Sequence, residues 1–263
     1  MVYLGIDIGS SATKLVAIDQ DKDIVGSSVV QLGTGTSGVD RAIDQFYKST
    51  GLKQSDITWI IATGYGRVHF DGANEQISEI SCHAKGVHFL CPEVRTIIDI
   101  GGQDTKVTRV DGKGIMQNFT MNDKCAAGTG RFLDVMSKVL DVDISDMGDM
   151  DALAEKTLTI SNTCTVFAES EVISKLAAGC TIPDVIAGIH ESVSRRVAGL
   201  AFRNGIEPKI ALTGGVAQNA GIIRSLEREL KEKLVIPHNP QLTGALGAAL
   251  FSLQRARNTK VHP

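Results

Sequence analysis

Two cysteines stand where a thiolate could bind a metal cluster. Cys125 comes shortly before the turn 128–130, and from Arg131 the apolar residues recur at the three- and four-residue steps of a helix with one buried face. Cys164 directly precedes a second helical pattern that stops at Gly179. We expect the turn to leave free N–H groups at the positive end of the helix dipole. Each helix start would then favour an anion such as a thiolate or a thiolate-bound cluster.

The number of thiols limits which cluster a single chain can hold. An iron–sulfur cubane usually takes four thiolates, and the two motifs supply only Cys125 and Cys164. A twofold-symmetric dimer would supply two from each chain. The alternative is that both are small buried hydrophobic residues, as free cysteines often are. The chain has an odd number of cysteines without CxxC spacing, which favours neither a disulfide framework nor a zinc ribbon: Cys82, Cys91, Cys125, Cys164 and Cys180.

A second kind of chemistry is indicated by a pattern that occurs twice. In each copy an apolar strand ends in Asp-Ile-Gly, and a polar turn, a lysine and another strand follow. Asp7 and Lys14 of the first copy match Asp99 and Lys106 of the second. We interpret this as an internal duplication that gives two similarly folded lobes facing each other, the alternative being two unrelated hairpins.

These repeated turns predict a site for a magnesium nucleotide. Their N–H groups would bind phosphates, the two carboxylates would hold a hydrated Mg²⁺, and Gln103 or Asp104 would orient the attacking water. A third loop, at Gly214 and Gly215, would let the backbone approach the nucleoside. The predicted catalytic residues are Asp7, Asp99, Gln103 and Asp104. The predicted nucleotide-binding residues are Gly9, Ser10, Ser11, Lys14, Gly101, Gly102, Lys106, Gly214, Gly215, Gln218 and Asn219.

The elements that must position these residues follow from the hydrophobic pattern. Strands are predicted over 2–8, 24–31, 57–63 and 209–212, and helices over 39–50, 131–140, 166–176 and 182–204. A small-residue helix over 242–250 is expected to pack closely against a neighbour, and the basic tail from Arg255 is expected to fray. We predict lobe I over 1–94, completed by a C-terminal helix over 243–263, and lobe II over 95–242, which carries both cysteines and the nucleoside loop.

Composition places the chain among soluble globular proteins. Its 263 residues are 43% hydrophobic, enough for a sizeable core, and the net charge of -3 argues against a nucleic-acid or membrane-surface role. The N-terminus runs directly into a strand without a basic, cleavable leader, and no apolar run reaches membrane-spanning length. We therefore expect a cytoplasmic protein that binds neither nucleic acid nor membrane.

Five motifs of this chain together resemble the activators of 2-hydroxyacyl-CoA dehydratases, in the wider family that includes the ATP-binding subunits of benzoyl-CoA reductase. The motifs span residues 7–14, 99–104, 122–131, 163–171 and 213–219. The resemblance implies an α/β, actin-like and sugar-kinase-like ATPase fold with a nucleotide cleft between its lobes. It also implies an oxygen-sensitive homodimer that shares one 4Fe-4S cluster. ATP hydrolysis would drive one electron from a ferredoxin or flavodoxin to a partner dehydratase.

Carried over to this sequence, the cluster ligands of that family match Cys125 and Cys164, while Cys82, Cys91 and Cys180 are expected to be structural. The first competing hypothesis is a sugar or carboxylate kinase of the same fold, which would leave the cysteines at two helix starts unexplained. The second is a regulator or scaffold that binds ATP without redox chemistry. Iron content after anaerobic purification distinguishes the activator from the kinase.

Overall fold

The computed structural model describes residues 1–161 and 164–261, and these form two compact units. The first unit comprises Met1–Glu93, Val110–Met116 and the chain from Pro237 onward, and the second comprises Val94–Arg109 and Gln117–Ile236. Asn162 and Thr163, which belong to the second cysteine motif, lie outside the described residues.

Strands and helices alternate along the chain as in an α/β protein. In chain order the elements are β1 (Val2–Ile8), β2 (Thr13–Ile18), β3 (Ile24–Val30), α1 (Gly38–Thr50), β4 (Ile57–Thr63), β5 (Glu75–Gln76), α2 (Glu79–Leu90), β6 (Thr96–Ile100), β7 (Thr105–Val110), β8 (Met116–Asn122), α3 (Gly130–Leu140), α4 (Met147–Asp151), α5 (Thr165–Ala177), α6 (Ile182–Asn204), β9 (Ile210–Thr213), α7 (Ala220–Leu230), β10 (Leu234–Val235) and α8 (Thr243–Val261). Short 3-10 turns connect several of them.

The two sheets have the same strand order and the same directions around their central strands. The first sheet runs β3-β2-β1-β4-β5, and the second runs β8-β7-β6-β9-β10. β1 pairs antiparallel with β2 and parallel with β4, and β6 pairs antiparallel with β7 and parallel with β9. Even the register repeats, because Asp7 faces Lys14 and Asp99 faces Lys106. The internal duplication and the α/β fold predicted from the sequence are therefore confirmed.

β1, the central strand of the first sheet, is buried on both faces, and its successive side chains point to opposite sides of the sheet. Leu4, Ile6 and Ile8 of β1 pack with Phe46 of α1. Tyr3 of β1 packs instead with apolar residues of α8. β1 can therefore be apolar at nearly every position, and its polar exception, Asp7, lies at the end of the strand where a turn begins.

Small residues let the backbone of α8 lie directly against the backbones of α2 and β1. A Cβ added at Gly247 would collide with the carbonyl of Cys82 in α2, and one added at Gly5 would collide with the carbonyl of Ala245. The close packing predicted for this helix is confirmed. The prediction of a frayed tail is wrong for the described residues, because α8 continues to Val261, and residues 262 and 263 lie outside them. Arg255 holds that end through two hydrogen bonds to Glu75, at 2.7 and 3.0 Å.

The second unit has one main core between its sheet and helices α3, α5, α6 and α7. It includes Phe132 and Leu133 of α3 and Ile189 of α6, all of them 1% exposed or less, and Cys125 packs partly against it. α6 begins where the hydroxyl of Thr181 accepts the N–H of Asp184 at 3.3 Å, with a proline in the first turn, as expected of a well-capped helix. None of the helices in the described part of the chain could cross a membrane.

Candidate functional site

The β1–β2 turn presents a buried carboxylate at the end of a strand. Asp7 is only 3% exposed, and its Oδ2 lies 3.1 Å from Nζ of Lys14 on the paired strand. The N–H of Gly9 donates to the carbonyl of Ala12 at 3.0 Å and closes the turn that contains Ser10 and Ser11. Ligands in α/β proteins commonly bind beyond the carboxyl ends of parallel strands, which is where this turn lies relative to β1 and β4.

The β6–β7 turn repeats this geometry in the second unit. Asp99 is 6% exposed, and its Oδ1 accepts the hydroxyl of Thr213 at 2.8 Å. The N–H of Gly101 donates to the carbonyl of Asp104 at 2.9 Å and closes the turn. Gly102 is half-buried within this turn, whereas Gln103 is exposed at its tip. The two predicted phosphate turns are thus equivalent residue by residue.

The lysine of each turn lies beside a carboxylate. Nζ of Lys14 lies 3.1 Å from Oδ2 of Asp7, the strand-end carboxylate, and Nζ of Lys106 lies 2.6 Å from Oδ2 of Asp104 in its own turn. The side chain of Lys106 is 5% exposed, so this ion pair is well shielded from water. Of the two residues predicted to orient the attacking water, Asp104 forms an ion pair with Lys106 and Gln103 is exposed at the turn tip.

A glycine with positive φ lies against each strand-end carboxylate. Gly64 follows β4 with φ 86°, and a Cβ there would lie 2.5 Å from Oδ1 of Asp7. Gly214 follows β9 with φ 87°, and a Cβ there would lie 3.1 Å from Oδ1 of Asp99 and collide with the carbonyl of Ile100. Only glycine suits both the backbone angle and the space. Sequence reasoning missed the role of Gly64, although the Thr-Gly pair that ends β4 is repeated at the end of β9.

The other predicted residues of the nucleoside loop differ in whether they face solvent or contact the protein. Gly215 and Gln218 are exposed, and a Cβ added at Gly215 would meet no heavy atom of the described structure within 4 Å. The Asn219 side chain caps α7, because its Oδ1 accepts the N–H of Ile222 at 3.1 Å. Its Nδ2 also lies 3.2 Å from Nε2 of the buried His190. Asn219 thus holds the loop in place rather than reaching outward.

The start of α8 also lies beside the first carboxylate, which the sequence did not reveal. A Cβ at Gly244 would lie 3.1 Å from Oδ2 of Asp7 and 2.9 Å from Nε2 of His83. His83 is 8% exposed, and its Nδ1 lies 3.0 Å from the hydroxyl of Thr243. No local pattern connects residues so far apart in the chain, and only the fold brings them together.

Cys125 is half-buried in the second unit, before α3. Its carbonyl accepts Nδ2 of Asn122 at 2.8 Å. The N–H groups of Gly130 and Arg131 donate to the carbonyls of Gly101 and Gly102, at 2.9 and 2.7 Å. The prediction of free N–H groups at this helix start is therefore wrong, because the β6–β7 turn accepts them. These N–H groups are therefore not available to bind the anion that we expected at this helix start.

Cys164 is the N-cap residue of α5, as its predicted place at a helix start requires. Its thiol is half-buried and makes no capping hydrogen bond, and its carbonyl accepts the N–H of Ala168 at 2.9 Å. The next turn exposes two large apolar side chains, Val166 at 65% and Phe167 at 68%. Both side chains are exposed enough to contact a partner.

The other three cysteines have surroundings that suit packing. Cys82 in α2 is fully buried, and this burial raises the pKa of its thiol to about 12, so thiolate is scarce at neutral pH. Burial also raises the pKa of Cys91, with a further contribution from the charge of Glu93. Cys180 packs partly against the core of the second unit.

The donor atoms are suited to the two predicted inorganic groups, although one chain does not supply a full set. Thiolates are the usual ligands of iron–sulfur clusters, and Mg²⁺ commonly keeps several waters and binds one or two carboxylates. Among the described residues, no group of three or more His, Cys, Asp or Glu side chains lies together as a metal site would require. A cluster of four irons on this chain would need ligands from elsewhere.

Comparison with known proteins gives the family. The model of the BadF/BadG/BcrA/BcrD ATPase family matches residues 4–252. The activator of lactoyl-CoA dehydratase of Anaerotignum propionicum is 54% identical over 257 residues, which cover 98% of this chain and 99% of the relative. The solved structure of the activator of the 2-hydroxyisocaproyl-CoA dehydratase from Clostridium difficile, with bound ADPNP, is 50% identical with a TM-score of 0.98 and covers 100% of this chain and 98% of that one.

A more distant solved structure extends the likeness in fold alone. A ROK family glucokinase from Streptomyces griseus, in complex with glucose and AMPPNP, is 13% identical with a TM-score of 0.59 and covers 97% of this chain and 100% of that one. The sugar-kinase-like fold that the resemblance implied is therefore confirmed. With a family model that spans nearly its whole length, the chain belongs to the BadF/BadG/BcrA/BcrD ATPase family.

Proposed function

We propose that the chain is an ATP-hydrolysing one-electron donor that activates a 2-hydroxyacyl-CoA dehydratase in the cytoplasm, through a 4Fe-4S cluster shared across a homodimer. The supporting observation is that one unit of the chain carries both a phosphate-type turn with a buried carboxylate and, just before two of its helices, the half-buried thiols of Cys125 and Cys164. A sugar kinase would need the first feature but not the second. The names of the relatives, which are activators of such dehydratases, agree with this choice.

The proposed ATP chemistry uses the two turns. Asp7 and Asp99 would bind Mg²⁺ through its waters, while the N–H groups of Ser10, Ser11 and Gly102 would bind phosphate oxygens, since those of Gly9 and Gly101 close the turns. When bound, the metal would neutralise charge that develops on the phosphates. Gln103, exposed at the tip of its turn, would orient the attacking water, and a lysine of each turn would stabilise phosphate charge once it leaves its carboxylate partner.

The proposed cluster site is completed by symmetry. Each chain would contribute Cys125 and Cys164, so two copies would supply the four thiolates that a cubane takes. The exposed Val166 and Phe167 next to Cys164 are suited to cover the site from the second copy. When bound, the cluster would supply one-electron redox chemistry, and the surrounding protein would tune its potential. A ferredoxin or flavodoxin is the proposed electron donor.

Replacement of the cysteines tests this proposal. Cys125→Ser and Cys164→Ser are expected to remove the iron, about four atoms per dimer in the unaltered protein, and to leave ATP binding intact. Iron analysis and the visible spectrum of anaerobically purified protein, beside nucleotide binding by calorimetry, measure the two effects. Cys180→Ser is the matched control, because Cys180 is also a half-buried free thiol of the second unit.

Two outcomes would contradict the proposal. Unchanged iron content in either Cys125→Ser or Cys164→Ser would refute that ligand. A colourless, iron-free protein that releases ADP only when a sugar or carboxylate is added would instead identify a kinase of this fold.

A further inference from the structure

Three hydrogen bonds join the β6–β7 turn to the backbone that follows Cys125. The hydroxyl of Thr105 donates to the carbonyl of Gly128 at 2.5 Å. The N–H groups of Gly130 and Arg131 donate to the two glycine carbonyls of the turn at 2.9 and 2.7 Å. Thr105 is 1% exposed and residues 128–130 are buried, so water competes little for these bonds.

The segment between Cys125 and these bonds is itself internally bonded. Both the N–H and the hydroxyl of Thr129 donate to the carbonyl of Ala126, at 3.0 and 2.7 Å. Nδ2 of Asn122 donates to the carbonyls of Cys125 and Ala127, at 2.8 and 3.3 Å. These bonds restrict movement between the turn and Cys125. A displacement of the turn would therefore also displace the Cys125 segment.

The first unit contains the same connection without a cysteine. There the hydroxyl of Thr13 donates to the carbonyl of Leu32 at 2.9 Å, and the N–H of Thr34 donates to the carbonyl of Gly9, also at 2.9 Å. Thr13 matches Thr105 in the duplication, and both are buried. The chain thus contains a matched control for the role of Thr105.

We propose that Thr105 is a positioning residue that ties the Cys125 segment to the phosphate turn, so that nucleotide bound at Gly101 and Gly102 sets the position of Cys125. This inference rests on the proposed nucleotide site and adds a route by which the second unit alone senses the nucleotide. It predicts that loss of the Thr105 hydroxyl uncouples the cysteine segment without abolishing nucleotide binding.

Hydrogen exchange of the full-length protein under anaerobic conditions tests this directly. The probes are ADP and a non-hydrolysable ATP analogue, and the two peptides followed are Asp99–Lys106, which reports binding, and Lys124–Phe132, which reports the cysteine segment. In the unaltered protein, nucleotide is expected to slow exchange in both. In Thr105→Val the first effect is expected to remain and the second to disappear, with nucleotide-free exchange of Lys124–Phe132 about tenfold faster, as for one lost hydrogen bond.

Matched variants separate this effect from a general loss of structure. Thr13→Val and Thr105→Ser are expected to behave like the unaltered protein, since the first leaves Thr105 in place and the second keeps the hydroxyl. If Thr105→Val fails to fold, Thr105→Ala replaces it, because alanine also lacks the hydroxyl and adds no bulk.

The outcomes distinguish the inference from the proposed function. Nucleotide-dependent exchange of Lys124–Phe132 that persists in Thr105→Val, or that is absent from the unaltered protein while Asp99–Lys106 is protected, would overturn the role of Thr105 alone. Absence of nucleotide protection at Asp99–Lys106 in the unaltered protein would overturn the proposed nucleotide site as well.

Discussion

The two buried carboxylates occupy the same register position, each opposite a lysine on the paired strand. Oδ2 of Asp7 lies 3.1 Å from Nζ of Lys14, and Oδ1 of Asp99 accepts the hydroxyl of Thr213 at 2.8 Å. Both residues are 6% exposed or less, so both would bind a cation in a setting shielded from water. We therefore expect both carboxylates to contribute to Mg²⁺ affinity.

Neutral replacements of these carboxylates test their role. Asp7→Asn and Asp99→Asn are each expected to lower ATP hydrolysis about 10- to 100-fold, as for groups that bind a metal through its waters. The iron content is expected to stay unchanged, because neither residue is a proposed cluster ligand. Phosphate release measured beside the visible spectrum checks both expectations. Asp44→Asn, on the exposed face of α1, is the control, and full hydrolysis in both site variants would exclude the proposed Mg²⁺ ligands.

At the scale of elements, the loop after β9 contains two neighbouring glycines whose surroundings differ. Gly214 has φ 87° and lies against the backbone of Ile100, whereas space is open around Gly215. Gly214 is therefore needed by the fold itself. Any effect of a side chain at Gly215 would arise instead from a ligand that approaches the loop.

Alanine at each position separates these roles. Gly214→Ala is expected to lower the free energy of unfolding by at least about 1–3 kcal/mol, because its backbone conformation is nearly confined to glycine and the added Cβ would also collide with the carbonyl of Ile100. Gly215→Ala is expected to leave stability unchanged but to weaken ATP binding about tenfold, or roughly 1.4 kcal/mol. Thermal unfolding and calorimetric titration with ATP make the comparison. Unaltered ATP affinity in Gly215→Ala would remove this glycine from the nucleoside site.

A buried polar network joins α4, α6 and α7 behind the same loop. Asp151 lies 3.4 Å from Nδ1 of His190 and 2.7 Å from the guanidinium of Arg224. His190 in turn contacts Asn219, the capping residue of α7. Burial alone would raise the pKa of Asp151, but the hydrogen bond from Arg224 and the nearby imidazole of His190 outweigh it, so the pKa is lowered from its ordinary 3.8.

The sign of this shift fixes the pH dependence of the network. Because the folded-state pKa is lowered, the stabilisation by ionised Asp151 is fully present above pH 3.8 and is lost as the pH falls further, through the lowered pKa. Asp151→Asn is expected to cost about 1–3 kcal/mol at neutral pH, and the difference from the unaltered protein should shrink in acid. Urea unfolding of both proteins from neutral to acid pH measures this difference, and Asp149→Asn on the exposed side of α4 is the control. A difference independent of pH would contradict the ionised role of Asp151.

At the scale of the whole molecule, the proposed dimer depends on the apolar turn that follows Cys164. Phe167 is 68% exposed and Val166 is 65% exposed, although both are large apolar residues. If a second copy covers this turn, its apolar area supplies part of the dimer's stability, and the cluster supplies the rest.

Phe167→Ser is expected to weaken the dimer by about 2 kcal/mol, or roughly thirtyfold, and to lower the iron content with it. Analytical ultracentrifugation under anaerobic conditions and iron analysis measure the two effects. Phe202→Ser is the matched control, because Phe202 is 54% exposed at the far end of another helix of the same unit, α6. A Phe167→Ser protein that keeps the full dimer and its iron would show that this turn lies outside the interface.

The sequence by itself determined the features that local pattern and repetition encode. Hydrophobic periodicity placed most strands and helices, and the repeated Asp-Ile-Gly turns predicted two equivalent lobes, since each depends on residues that are neighbours in the chain. The motifs around Cys125 and Cys164 indicated the family for the same reason.

Tertiary structure decided which partners those residues have. Only the fold shows that Lys106 pairs with Asp104, that the turn carbonyls take the N–H groups of α3, and that Arg255 is held by Glu75. Gly64 and Gly214 likewise owe their roles to the strand ends beside them. Such pairings join residues distant in the chain or choose among several local partners, and packing and desolvation set that choice rather than any periodicity a sequence displays.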